Sequence, residues 1–252
     1  MKRIILAGAV VLSLAFTSCE TVKEITINGD GSGNYSSSLD ISSLIGIAKM
    51  SGGEGMDELD DKKIDTSFSL KSLTDSVEGL TASEKALAGK GSMNVNMDIA
   101  NDIFKTKINL PFANVDELTQ AEKISSKTSA NAILEALAAG KEKSGAMDDM
   151  GIPQTTIDDY FDIVFTKNSI SKKLNAEKYA KMGEDEGMEA LREIAGQGMV
   201  PSNTIVIHLP RPAKKTEGKG LVVSEDKKTI TIKESAEDFL DDASSFEFVI
   251  EY

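Results

Sequence analysis

The stretch SMNVNMDIANDIFKTKINLPF, Ser92–Phe112, decides the fold. Met93, Val95, Met97 and Ile99 fall on one side of an extended chain, and Asn94, Asn96 and Asp98 on the other. Ile103–Phe112 repeats the pattern, with Phe104, Thr106, Ile108, Leu110 and Phe112 together. A period of two over this length predicts antiparallel strands with one buried and one wet face.

Working outward, Thr21–Asn28 alternates around Val22, Ile25 and Ile27, and Tyr35–Ile41 resumes as a second strand. The dense turn signal NGDGSG, residues 28–33, makes the two a hairpin. Ser42–Met50 reads as a short amphipathic helix with a Ser N-cap, residues 51–63 as a loop, and Ile64–Leu73 as a third strand. Thr81–Leu87 is weakly helical. Asn114 caps a helix over 115–125, and residues 129–143 continue with high helix propensity. Asp148–Pro153 breaks the chain, Asp159–Lys173 reads as a strand or a hairpin turning near Lys167-Asn168, and Asn175 caps one long helix over 176–197. The end is β-rich, with strands at 204–209, 221–224 and 229–233, a helical turn at 235–242 and a closing strand at 246–252. DIFKTKI (102–108) echoes DIVFTKN (162–168), as a duplicated strand-helix unit would. Strands in adjacent pairs with inserted helices predict an α+β fold, an antiparallel sheet with several helices packed on one face.

The chain has 252 residues and a formal net charge of −13, with 40% hydrophobic and 27% charged residues. That balance suits a folded globule. Aromatic residues are 5% and Trp is absent, so the core must be aliphatic and Met-rich. The acidity argues against nucleic acid, which demands clustered Lys and Arg. One Cys excludes an intrachain disulfide framework, and one His excludes multi-His metal sites.

The first twenty residues read MKRIILAGAVVLSLAFTSCE. Lys2 and Arg3 precede thirteen residues of apolar character, Ile4–Phe16, and then Thr17-Ser18-Cys19. Such a run is too short for a bilayer-spanning helix, which needs about 20 residues. It matches a cleavable signal peptide. The chain's sole Cys follows the two small residues, and in this the segment resembles a bacterial lipoprotein precursor with its lipobox. Phe16 stands where that family usually carries Leu, Val or Ile.

The resemblance implies cleavage between Ser18 and Cys19, a diacylglyceryl group on the Cys19 thiol, and a fatty acyl chain such as palmitate on the new N-terminus. Residues 1–18 would be the signal peptide and 19–252 a single α+β lipoprotein domain. Loss of Lys2 and Arg3 takes the net charge from −13 to −15. A body so acidic is repelled by anionic lipid, so the acyl anchor must hold it. Glu20 rather than Asp after the Cys lacks the family's inner-membrane retention signal, which points to the outer membrane facing the periplasm. At the other end, the strand closing at Leu209-Pro210 and the run LVVSEDKKTITIK (221–233) resemble the LppM-type lipid-associated bacterial lipoproteins. No functional residues are carried over from that likeness.

Candidate chemistry is sparse. Asn28, Asp30, Ser32 and Gly33 imitate the start of an EF-hand loop, but Leu39 stands where its closing Glu belongs, which leaves a turn. The same glycines lack the following helix of a dinucleotide site. His208 has neither a second His nor a Gly-x-Ser-x-Gly elbow. The acidic groups at 57–61, 148–149, 158–159 and 184–186 have no recognised ligand spacing and read as solvated faces. Arg211-Pro212-Ala213-Lys214-Lys215 is a basic loop able to meet an anion. Met93, Met97, Met182 and Met188 read as core filler, with an adaptable apolar surface as the alternative.

The expectation is therefore a lipid-anchored, non-enzymatic envelope protein with a binding or structural role. Its partners would be the membrane, through the anchor, and an envelope protein or lipid. It would need no cofactor. The rival readings are a carrier or sensor of lipid or another apolar molecule, whose sheet and helices would enclose a cavity, and a glycan or peptide hydrolase.

Overall fold

A computed structural model describes residues 20–50, 63–74, 80–138, 156–196 and 201–252. The expected signal peptide with Ser18 and Cys19, most of the expected loop at 51–63 and the expected break at 148–153 lie outside these residues. The strands are β1 (Glu20–Ile27), β2 (Gly33–Asp40), β3 (Lys63–Ser69), β4 (Ser92–Asp98), β5 (Ile103–Phe112), β6 (Phe161–Phe165), β7 (Ser169–Leu174), β8 (Ser202–His208), β9 (Lys215–Gly218), β10 (Leu221–Val223), β11 (Thr229–Ser235) and β12 (Phe248–Glu251). The α-helices are α1 (Ser42–Met50), α2 (Leu70–Thr74), α3 (Ala82–Ala88), α4 (Asp116–Ala138), α5 (Ala176–Ala180), α6 (Glu186–Gly196) and α7 (Ala236–Asp241).

The class is α+β with antiparallel-dominated sheets, but the strands form two sheets rather than one. An eight-stranded sheet runs β10-β11-β8-β1-β2-β5-β4-β3, and a four-stranded sheet runs β6-β7-β12-β9. Within the large sheet β1 and β8 are parallel, Glu20 opposite Ser202 and Thr26 opposite His208. The chain passes from the small sheet to the large one at the β9–β10 corner, where Gly218 and Gly220 adopt φ of 137° and 70°. Those are backbone regions glycine reaches without strain.

One face of the large sheet is buried. Its β4 and β5 rows are the predicted ones: Met93, Met97, Phe104, Ile108 and Leu110 have no solvent exposure. Each such side chain contributes about 1.5–3 kcal/mol of burial free energy. Helices α2, α3 and α4 cover this face over β3, β5 and β2. Over β1, β8 and β11 the covering layer is the small sheet, whose Phe165, Ile170, Phe248 and Ile250 join Ile25, Ile205, Ile207 and Ile230 in one core. A second cluster, with Tyr160, Phe161, Met188, Phe239 and Phe246, fills the space between the small sheet and α6 and α7.

Local chemistry sets the boundaries. The β1–β2 turn is closed by Asp30, whose carboxylate accepts the backbone N–H and hydroxyl of Ser32. Asn114 caps α4 by accepting the Asp116 N–H, and the two predicted helical pieces form one helix. Thr81 and Glu84 make a reciprocal capping box at α3. Ser42 does not cap α1; its hydroxyl accepts the Phe104 N–H and ties the helix start to β5.

Other expectations need correction. The third strand ends at Ser69, because its hydroxyl accepts the Lys71 N–H and turns fully buried Leu70 into α2. The helix over 176–197 is two helices. Asn175 caps α5, and the Asp185 carboxylate accepts the Gly187 and Met188 N–H groups to restart the chain as α6. The echo between 102–108 and 162–168 is not a duplicated unit: β5 leads into α4, whereas β6 leads into β7.

Gly33 is a point of close approach. A Cβ there would collide with the Thr26 carbonyl oxygen and the Phe112 ring. Because Gly33 is locked opposite both Ile27 and Phe112 in the sheet, the backbone has little room to yield. Gly33→Ala is expected to cost about 3 kcal/mol, the upper part of the overpacking range. The shift in urea midpoint measures it.

Candidate functional site

The two sheets are joined by a buried network of charge. Lys23 on β1 and Lys172 on β7 point into the interface at the same parity as Ile25 and Ile170. Asp158, in a 3-10 turn just before β6, lies between them and pairs with both, at 2.6 Å from Lys172 Nζ. Lys172 Nζ also reaches Glu234 Oε1 of β11 at 2.7 Å, and Lys23 Nζ reaches Glu122 Oε1 of α4 at 3.1 Å. Asn203 on β8 donates to the second Glu234 oxygen at 3.0 Å. Lys172 is 1% exposed and stands over the Phe161 ring, 4.6 Å from its centroid.

Burial opposes every charge here, and the partners decide the outcome. Desolvation disfavours the Asp158 carboxylate, but the ammonium groups of Lys172 and Lys23 outweigh it and hold its pKa well below the usual range. Desolvation likewise works against both lysines, and their carboxylates overcome it and raise them. Glu234 goes the other way. Burial, joined by the nearby Asp158 charge, raises its pKa despite Lys172. Tyr35, facing Lys23 and Ser125, is pushed up to about 12, chiefly by burial.

These lysines stay protonated, so neither is a neutral amine ready to act as nucleophile or base. Two ammonium groups against three carboxylates leave an excess of negative charge that a proton on Glu234 can relieve. The network is arranged to hold the sheets in register, with its polar atoms turned toward one another rather than toward a cleft.

A pH dependence follows. Asp158, depressed in the fold, contributes stability above its unfolded pKa of about 3.9 and loses it as pH falls through the folded value. Glu234, raised in the fold, is favoured by a proton and penalised above its folded pKa. Stability should therefore hold or rise slightly from pH 7 toward 5 and fall steeply below about 4. Asp158→Asn should flatten that acid fall, whereas Glu217→Gln, in an exposed pair with Lys215, should not. Urea midpoints across pH test both.

The residues singled out from the sequence are dispersed. His208 lies at the exposed end of β8, its ring nitrogens 3.1 Å from Glu24 Oε1 and 3.3 Å from Thr229 Oγ1. Asp185 caps α6 and accepts the Tyr160 hydroxyl. Asp159 closes its own turn by accepting the Thr156 N–H, while its neighbour Asp158 is in the network and not on a solvated face. Met93, Met97 and Met188 are core, as the filler reading expects. The groups at 57–61 and 148–149 lie outside the described residues. Among the described residues no three His, Cys, Asp or Glu side chains converge as a metal site would require.

The basic loop ends in a strand, since Lys215 opens β9. Arg211 and Lys214 border an open groove of about 560 Å³ with Asn168, Ser169, Glu251 and Tyr252. Arg211 donates to Asn168 and lies over the Tyr252 ring, and Lys214 donates to the Tyr252 carbonyl. The groove is polar and can meet an anion. No described helix is long and apolar enough to cross a membrane.

No family model matches the chain, and no curated protein matches it. Among solved structures, the NMR structure of the folded domain of Mycobacterium tuberculosis LppM is similar over 93% of this chain and 90% of its own. Sequence identity is 8% and the TM-score 0.39, a distant likeness.

Proposed function

We propose that this chain is a lipid-anchored protein of the cell envelope, with Cys19 as its lipidated first residue, and that its body binds or supports a partner rather than catalysing a reaction. The observation that carries this is one of placement. The sole cysteine stands at the end of a short apolar leader and directly before β1, so cleavage there removes the leader and leaves the fold whole. Glu20 in the next position supports release to the outer membrane, facing the periplasm.

The non-enzymatic reading is supported by how the charged chemistry is used. Lys23, Asp158, Lys172 and Glu234, all perturbed by burial and by one another's charge, are spent on one another across the sheet interface. The alternative of an apolar carrier is less well supported, since among the described residues Tyr35, Phe104, Met93 and Leu110 pack in the core without exposure.

Metabolic labelling with an alkyne-tagged fatty acid tests the proposal. The mature chain should carry the label on the peptide beginning at Cys19. A mature chain without label would overturn it.

A further inference from the structure

The strand that begins at Glu20 leaves no tether. Cys19 precedes it by one residue, a reach of about 3.8 Å between α-carbons. Nor is β1 free to peel away and lengthen that reach. It is a central strand, with Glu20 paired to Asp40 of β2 on one side and to Ser202 of β8 on the other. Fraying would open two ladders at once.

We infer, resting on the reading of Cys19 as the lipidated residue, that the large sheet stands on the membrane by the end formed by Glu20, Asp40, Ser202 and the β4–β5 turn. Register fixes which residues share that end. Asp40 is opposite Lys105, and Asp98 is opposite both Lys63 and Ile103, so the turn at 99–102 projects beyond the level of Glu20. The occupant of this face is the lipid headgroup layer. The seven-residue advance along β1 places the other end of the strand about 23 Å farther out. That far end carries the 28–32 turn, His208, the 224–228 turn and the groove with Arg211 and Lys214. A partner arriving from the aqueous phase meets these first.

Charge at the near end fits contact by anchor rather than by attraction. Among the described residues Asp40, Asp98 and Asp102 each hold a lysine, namely Lys105, Lys63 and Lys49, at 2.8, 2.9 and 3.0 Å. These three pairs are neutral and Glu20 adds a negative charge, so these described groups of the face have no cationic excess. Phosphatidylcholine vesicles, which carry no net charge, are therefore the appropriate surface.

The lipidated full chain supplies a clean test. Its one cysteine sulfur is consumed as a thioether, so an introduced cysteine is the only thiol that takes a fluorophore. Asn101→Cys marks the near turn and Gly29→Cys the far one; both positions are exposed, and Gly29 has open space around it. Each labelled protein is reconstituted into phosphatidylcholine vesicles containing a lipid with a nitroxide on its headgroup. The label at 101 should be quenched several-fold more strongly than the label at 29. Equal quenching, or stronger quenching at 29, in protein that floats with the vesicles would overturn the orientation and leave the anchor intact. Protein that fails to float would overturn the anchor itself, and the orientation with it.

Discussion

Lys172→Met will destabilise the protein by about 3–5 kcal/mol, the cost of removing one partner from a buried ion pair. The side chain is 1% exposed and neutralises Asp158 and Glu234 together. Met fills the space of the lysine stem, so lost packing contributes little. What the change leaves is three carboxylates facing one ammonium in a site that water reaches poorly. The ammonium over Phe161 is lost as well, worth a further 1 kcal/mol or so. Equilibrium urea unfolding gives the size of the loss. Its origin is checked by adding Glu234→Gln, which removes the stranded charge yet keeps a partner for Asn203. The double variant should regain most of the stability, and strong coupling between the two sites is the expected signature. If the double variant is as unstable as the single, uncompensated charge is not the cause.

Cys19→Ser will move the mature protein from the detergent phase to the aqueous phase in a cloud-point separation. The substituted chain is exported behind a leader cut by the ordinary signal peptidase, so that no apolar leader persists to imitate an anchor. Each buried CH₂ of an acyl chain is worth about 0.8 kcal/mol, so one sixteen-carbon chain supplies on the order of 10 kcal/mol. The two or three chains implied by the lipoprotein resemblance make partitioning of the parent effectively complete. The body cannot compensate, because its net charge after leader removal, −15, keeps it hydrated in the aqueous phase. Its described helices are also too short or too polar to cross the bilayer. A serine form that still enters the detergent phase would show that something other than lipid holds the protein.

Sequence periodicity revealed the strands where neighbours in the chain are neighbours in the sheet. The β1–β2 and β4–β5 hairpins and the 161–174 hairpin were legible because alternation and a turn signal coincide. Two features hid the remainder. The parallel pairing of β1 with β8 depends on residues far apart, and nothing local announces it. Strand β9, Lys-Thr-Glu-Gly, is exposed along its whole length and shows no alternation, so only Lys215 of it was singled out, as the end of the basic loop. Without the pairing of β9 with β12 nothing sets the second sheet apart, and a single sheet is the natural inference.

The charge network was written in the sequence without being conspicuous. Lys23 shares parity with Ile25 and Ile27, Lys172 with Ile170, and Glu234 with Ile230 and Ile232. A charged residue on the apolar side of an alternating strand needs a buried partner. Three such residues of both signs in separate strands were a signal that those strands converge. Asp158 gave no such warning, since a 3-10 turn carries no parity.

The long-range partnership of β1 has a bearing on biogenesis. Glu24 of the first strand meets His208 of its parallel neighbour across 184 positions of chain. On the function proposed above, the polypeptide is exported with its amino end leading, so the segment proposed to receive the acyl groups is delivered well before the segment that completes its hydrogen bonding. Until then one flank of β1 is an open template for adventitious pairing. Topologies that wait for such distant contacts also fold slowly. On that proposal the interval between export and completion is when the chain most needs an escort, and a chaperone acting there would hold a partly built sheet already fastened to lipid.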